Sequence, residues 1–339
     1  MGKIQVIQIG AGRFGQSWLK VLLGSGQAEL AGVVDVVPDN LVAAAAITGL
    51  PEDRLFASLE SALQAVQADI ALIVTPPSTH KALALQALEA GLHVLLEKPV
   101  THTFSEAAEL YERSRQYDRK IAVSQNYRWR PCIQTLRKLL QEQAIGRVGY
   151  IEYAFRRAHQ VAGWRNEMDE VLLEDMSLHH FDLMRFVLNK EPLDVYAQGF
   201  RPHWSWFNGN PSASVIIGFE DDVQVNYFGS WVSRGRETTW NGDIRVYGER
   251  GMLELSDDRL LLWPEGAEAS SEVELPEAAY GDRESSLNDV MEAVRDGREP
   301  LTSLADNIKS FALTCAAVES SRAGGRKLAV SELLGVHQG

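Results

Sequence analysis

The sequence predicts an α/β + α+β chain in two parts. A doubly wound parallel sheet occupies residues 1–125, and residues 126–339 form an α+β part with a large, mainly antiparallel sheet and helices on one face. Three observations carry this prediction. Residues 3–23 read as strand, glycine turn and helix. From there to about residue 125, short apolar runs alternate with helical stretches, as expected of parallel strands covered on both faces. Near residue 147 the rhythm changes to apolar/polar alternation, the mark of strands with one buried face. A length of 339 residues suits two domains better than one, with the C-terminal helices free to return to the first.

The first strand, Lys3–Ile9, runs into Gly10-Ala11-Gly12-Arg13-Phe14-Gly15 and a helix over Gln16–Leu23. In such a turn Gly10 permits the sharp reversal and Gly12 lets backbone N–H groups approach a pyrophosphate. Gly15 lets helix and strand pack closely, with the positive end of the helix toward the anion. The second strand, Leu30–Val34, ends at Asp35, twenty residues past Gly15, where an acid accepts hydrogen bonds from adenosine ribose hydroxyls. This is the Rossmann dinucleotide fingerprint in its expected context. A carboxylate there repels a 2′-phosphate, and Val36, Val37 and Pro38 bring no arginine, so NAD is favoured over NADP.

A helix follows over Pro38–Ile47, then a short strand at Leu55–Phe56 and a helix over Ser58–Val66. The strand Ile70–Val74 leads into Thr75-Pro76-Pro77 and a helix over Ser78–Ala90. The strand His93–Leu96, a helix over Ser105–Tyr117 and the strand Ile121–Ser124 close the first part. Ligands of such a sheet sit at the carboxyl ends of its strands, where Gly10, Asp35, Thr75, Glu97 and Asn126 fall. In the second part, strands are predicted over 147–155, 194–200, 213–219, 223–231, 243–247, 252–255 and 260–263. A helix over 175–188 interrupts them, and helices over 284–295 and 303–322 end the chain. The acidic, small-residue-rich stretch 265–277 reads as a surface loop.

Composition narrows the function. The apolar fraction of 45% and charged fraction of 23% are those of a soluble globular protein. A net charge of -13 without any basic block disfavours nucleic acid and anionic membranes as partners. Cys132 and Cys315 lie far apart and outside any C-x-x-C pattern, which reads as free buried thiols in a reducing cytosol. No signal-like N-terminus and no run of transmembrane length is present, so a cytoplasmic location is expected.

Several motifs coincide along the chain. The glycine fingerprint, Asp35, Thr75-Pro76-Pro77 with His80, Glu97-Lys98-Pro99, Asn126-Tyr127-Arg128, and Asp175-Met-Ser-Leu-His179 with Asp182 occur in that order, followed by Arg245-Val-Tyr-Gly248 and Asp296-Gly-Arg-Glu-Pro300. Over nearly its whole length the chain resembles the glucose–fructose oxidoreductase/inositol dehydrogenase/MocA-type family. One departure is visible: where many members carry a glycine-rich turn before the aspartate, this chain has Asp169-Glu-Val-Leu-Leu-Glu174.

The resemblance implies an NAD(P)-dependent dehydrogenase acting on a hydroxyl of a sugar, inositol or related polyol. Asp175 and His179, four apart, share a face if helical, and histidine titrates near working pH, as a general base must. His179 then takes the hydroxyl proton, Asp175 orients substrate and imidazole, and Lys98 supplies positive charge to the developing alkoxide. The resemblance also implies a cis peptide before Pro99 that aims Lys98. Arg13, Phe14, Thr75, Pro76, His80, Glu97, Lys98 and Asn126 join the glycines and Asp35 as cofactor contacts, although Glu97 can also be read as a plain surface acid. Substrate contacts are expected from Arg128, Tyr153, Trp164 and Arg165, with Arg130 a further candidate. A metal site at Asp175, His179, His180 and Asp182 is disfavoured because successive helical residues point about 100° apart; His180 is expected to pack against the sheet. The family commonly pairs its large sheets, so a homodimer or homotetramer is expected. Two other readings compete. One is a glycoside hydrolase or sugar–sugar oxidoreductase with tightly bound NAD. The other is a non-catalytic NAD-dependent regulator, which should have lost the lysine and histidine.

Overall fold

The structure, a computed structural model, describes residues 2–160 and 163–335. Contact density divides the chain into two compact units, residues 1–126 with 280–308, and residues 127–279 with 309–339.

The first unit begins with β1 (Ile4–Ile9), α1 (Arg13–Gly24), β2 (Ala28–Val34), α2 (Pro38–Thr48), β3 (Leu55–Phe56) and α3 (Leu59–Ala65). It continues with β4 (Ile70–Ile73), α4 (Pro77–Glu89), β5 (His93–Leu96), α5 (Phe104–Ser114) and β6 (Ile121–Val123). The strands form one parallel six-stranded sheet in the order β3-β2-β1-β4-β5-β6. Their side chains are buried on both faces, Ile70 to Ile73 completely, which explains the uninterrupted apolar runs. The helix starts are chemically marked. Pro77 opens α4, and Thr103 and Glu106 form a reciprocal capping box on α5.

The second unit holds α6 (Pro131–Gln141), β7 (Val148–Arg156), a π-helical turn (Leu172–Ser177) continuous with α7 (Leu178–Leu188), β8 (Pro192–Phe200) and β9 (Ser212–Phe219). After them come β10 (Gln224–Ser230), β11 (Asp243–Gly248), β12 (Gly251–Ser256), β13 (Arg259–Pro264) and β14 (Ser271–Val273). The chain then forms α8 (Asp282–Asp296) in the first unit, α9 (Leu304–Arg322), β15 (Leu328–Ala329) and α10 (Val330–Gly335). In the first unit, α8 packs Leu287, Val290 and Met291 against Trp18 and Leu22 of α1. Val123 N–H donates to Thr302 O at 2.8 Å.

The nine strands of the second unit are ordered β14-β13-β12-β11-β7-β10-β9-β8-β15. Every pair is antiparallel except β7 with β10. One reading needs correction: β14 lies inside the stretch expected to be loop. Its polar composition suits a short exposed strand paired on one side only, to β13, and such a strand carries no apolar alternation to be read.

Candidate active site

In the first unit, β1 and β4 flank the point where the strand order reverses, and doubly wound sheets bind ligands beyond the strand ends there. The three glycines after β1 differ in purpose. Gly10 sits at φ 98°, and a Cβ would lie 2.4 Å from Val74 O. A Cβ on Gly15 would lie 2.2 Å from Gly10 O, so both are required by backbone packing. Around Gly12 the nearest atom to a Cβ is Asn40 Nδ2 at 3.9 Å. The fold itself therefore tolerates a side chain at Gly12. That space lies at the N-cap of α1, which no side chain caps and whose first turn holds no acid. Uncapped N–H groups at the positive end of a twelve-residue helix fit a pyrophosphate. Arg13 and Phe14 are exposed beside them.

Asp35 is held in place by three hydrogen bonds. Its Oδ2 accepts from Ala11 N–H at 2.7 Å, and its Oδ1 from Val37 N–H at 2.8 Å and Asn40 Nδ2 at 3.1 Å. A carboxylate oxygen has a second lone pair, so Oδ2 remains open to a ribose hydroxyl. His80 is fully buried, with Nε2 on Thr75 O at 2.8 Å and Nδ1 on Pro99 O at 3.0 Å. Burial holds it below the ordinary histidine value. Its ring lies between the Thr75–Pro76 turn and the Lys98–Pro99 peptide, which is cis, and a neutral imidazole donates to one of the two carbonyls at a time, so any part it plays in cofactor binding runs through those turns.

Glu97 requires a correction. It is not a surface acid. Glu97 is 6% exposed, and its carboxylate accepts Trp18 Nε1–H at 2.7 Å and the Lys98 N–H at 3.1 Å. Burial raises its pKa, against the pull of Trp18 and Lys98. It anchors the backbone of Lys98 to α1. Asn126 begins a short 3-10 turn just past β6 and is partly exposed.

In the second unit, the π-helical turn Leu172–Ser177 takes in the last three residues of the Asp169–Glu174 segment. Val171, Leu172 and Leu173 are fully buried in it or beside it. Asp175 therefore lies within that turn rather than at the start of an α-helix, and His179 is the second residue of α7. A π turn closes i→i+5 and often marks a functional position, so the offset between the two side chains is not that of a regular α-helix. Asp175 Oδ1 accepts from Arg165 Nε at 3.0 Å. The structure thus brings Arg165, a predicted substrate contact, to Asp175. The side chain of Trp164 lies outside the described residues.

His179, 7% exposed, stacks on Tyr127 with ring centroids 4.4 Å apart and planes 9° apart. The Arg130 guanidinium lies 3.5 Å from the Tyr127 centroid and donates from Nη1 to Asn241 Oδ1 at 2.8 Å. Sequence reasoning singled out neither Tyr127 nor Asn241. The position of Tyr127 beside Asn126, beyond a strand end, was the available signal.

Two predicted substrate contacts are internal instead. Arg128 is 3% exposed and holds Asp182 with two bonds, Nε to Oδ2 at 2.6 Å and Nη2 to Oδ1 at 2.5 Å. Ser310 also donates to Asp182 Oδ1, at 2.7 Å. A guanidinium so buried and so engaged has a structural task. Tyr153 is 2% exposed, its hydroxyl donates to Asn241 O, and burial pushes its pKa well up. His180 is fully buried between Tyr227 and the Trp240 carbonyl, as its packing reading expected. With Asp182 on Arg128 and His180 so held, those two side chains are spoken for within the fold.

The glycine turn, the bare helix N-terminus and Asp35 on a doubly wound sheet define a dinucleotide-binding unit. Residues 4–125 match the oxidoreductase family with NAD-binding Rossmann fold, and residues 133–254 match the GFO/IDH/MocA C-terminal domain. The chain belongs to the Gfo/Idh/MocA family, an oxidoreductase family whose first domain is an NAD-binding Rossmann fold. It is 28% identical to a D-apiose dehydrogenase of Paraburkholderia graminis over 93% of this chain and 87% of that one. It is 26% identical to an inositol 2-dehydrogenase of Rhizobium meliloti over 74% and 75% of the two chains. Its fold matches an Agrobacterium radiobacter oxidoreductase crystallised with NAD+, L-tartaric acid and magnesium, with a TM-score of 0.89, 22% identity and coverage of 98% and 99%. Among the described residues no helix is long and apolar enough to cross a membrane.

Proposed function

We propose that this chain oxidises a secondary or anomeric hydroxyl of a sugar, inositol or related polyol, with NAD preferred over NADP. The observation that carries the reading is the Asp175/His179 pair on one continuous π–α segment, with the imidazole held flat against Tyr127. His179 takes the hydroxyl proton, and Asp175, steadied by Arg165, orients the hydroxyl. Lys98, whose backbone N–H is anchored by Glu97, supplies the cation for the developing alkoxide. Charge stabilisation of this kind is worth about a hundred- to thousandfold in rate. NAD, when bound, would supply the hydride acceptor. The names of the two curated relatives support a polyol or sugar as substrate.

The test is an absorbance screen at the NADH band, with NAD and separately NADP, against D-apiose, inositols, aldoses, amino sugars and sugar acids. NADH formed with one polyol class is expected. His179→Ala and Lys98→Ala should each lower kcat by about 100-fold or more and leave NAD affinity nearly unchanged. Consumption of glycosides or exchange between two sugars without free NADH would move the assignment to a tightly bound cofactor.

Pairing of the large sheet belongs to the same proposal. Tyr150, Phe200, Ile216 and Phe228 are exposed on strands whose alternate residues, such as Ile151, Val215 and Val225, are buried. Light scattering should return a dimer or tetramer mass; a monomer would refute the pairing.

A further inference from the structure

We propose that Tyr127 is a positioning residue for His179, and that the β12–β13 hairpin holds it in place through Arg130 and Asn241. The proposal rests on the reading of His179 as the acid/base and adds what keeps its imidazole aimed. A histidine ring turns easily about its last torsion, whose energy wells are broad. A flat ring 4.4 Å away at 9° closes that freedom, because any turn of the imidazole drives its edge into the tyrosine. A plate that did not itself stay still would be useless, and Tyr127 is only half-buried. The Arg130 guanidinium, 3.5 Å from its centroid, supplies the restraint through cation–π attraction.

Arg130 is fixed in turn. Its Nη1 donates to Oδ1 of the fully buried Asn241, and Asn241 Nδ2 donates to Asp258 Oδ1 at 2.7 Å and toward Cys132 Sγ at 3.4 Å. Asp258 also accepts from Thr239 Oγ1 at 2.7 Å. Asn241 O takes the Tyr153 hydroxyl. Asn241 therefore faces one direction only, because exchanging its amide oxygen and nitrogen would set donor against donor at Arg130. Asp258 has a left-handed backbone, φ 60°, at the hairpin tip. The chain Asp258–Asn241–Arg130–Tyr127–His179 carries the rigidity of that hairpin to the imidazole.

Two readouts test this on the full chain. With histidine labelled at Cε1, the His179 resonance is identified by its loss in His179→Gln. Stacking shifts it upfield, and Tyr127→Leu should return it downfield while Tyr127→Phe leaves it in place. With the polyol that reduces NAD in the screen, Tyr127→Leu should lower kcat by about 10- to 100-fold with NAD affinity unchanged, and Tyr127→Phe should restore it. An unmoved resonance in Tyr127→Leu, or a moved one with kcat intact, overturns the proposal. If His179→Gln itself keeps full kcat, the acid/base reading fails instead, and the resonance still decides the stack. Should Tyr127→Leu fail to fold, Arg130→Gln takes its place, with the same downfield movement and a smaller loss of kcat expected.

Discussion

Lowering the pH should destabilise the second unit through one buried histidine. Trp240 O can only accept, so His180 Nε2, 3.1 Å away, carries the proton. Nδ1 then accepts from the Tyr227 hydroxyl at 3.0 Å, whose oxygen accepts from Ser177 Oγ at 3.0 Å. The network is complete with a neutral ring, and a second proton would face a hydroxyl already donating. Burial pulls the pKa from 6.5 down to about 3, helped by the Arg130 charge and opposed by the Trp240 carbonyl. The sign follows directly. Between those two values the unfolded chain binds a proton that the folded chain refuses, so stability is present above pH 6.5 and is lost as pH falls toward 3. At pH 5 the loss amounts to about 2 kcal/mol. Urea unfolding at pH 7.5 and pH 5, followed by tryptophan fluorescence, measures it. Seven of the eight tryptophans, all but Trp18, lie in the second unit, so the signal reports that unit. His80 and His93 are also held low by burial, so the comparison is with His180→Asn, in which the pH-dependent loss should shrink by about 2 kcal/mol. Equal losses in the two proteins would refute the assignment.

Four other outcomes are expected. Gly12→Ala should leave the melting temperature unchanged and weaken NAD at least about tenfold in a fluorescence titration, through lost approach to the helix N-terminus. Gly10→Ala, whose Cβ would lie 2.4 Å from Val74 O, should weaken both folding and binding. Breaking the buried pair with Asp182→Asn should cost about 3–5 kcal/mol of stability in urea, because it removes the buried carboxylate that takes two bonds from the Arg128 guanidinium. For Glu97, burial raises the pKa, so wild type loses stability as pH rises above the ordinary carboxylate value. Glu97→Gln escapes that loss, and its melting temperature should gain on wild type between pH 5 and pH 8.

The sequence by itself determined the parallel sheet, the glycine turn, Asp35 and the succession of strands in the second unit. Each of these is written in local spacing, as a period of two, an apolar run or a glycine where the backbone turns. It also marked Lys98, Asp175 and His179, the positions proposed to carry the chemistry. The tertiary structure decided what each polar side chain faces. Arg128 and Glu97 look like site residues in sequence because both adjoin strand ends, yet one lies buried on Asp182 and the other under Trp18. The π turn formed where Leu172 and Leu173 bury their side chains beside Val171. Tyr127 met His179 across 52 residues of chain. Local periodicity records which way a side chain points from its own element; its partner comes from another element, and only the packed fold brings the two together.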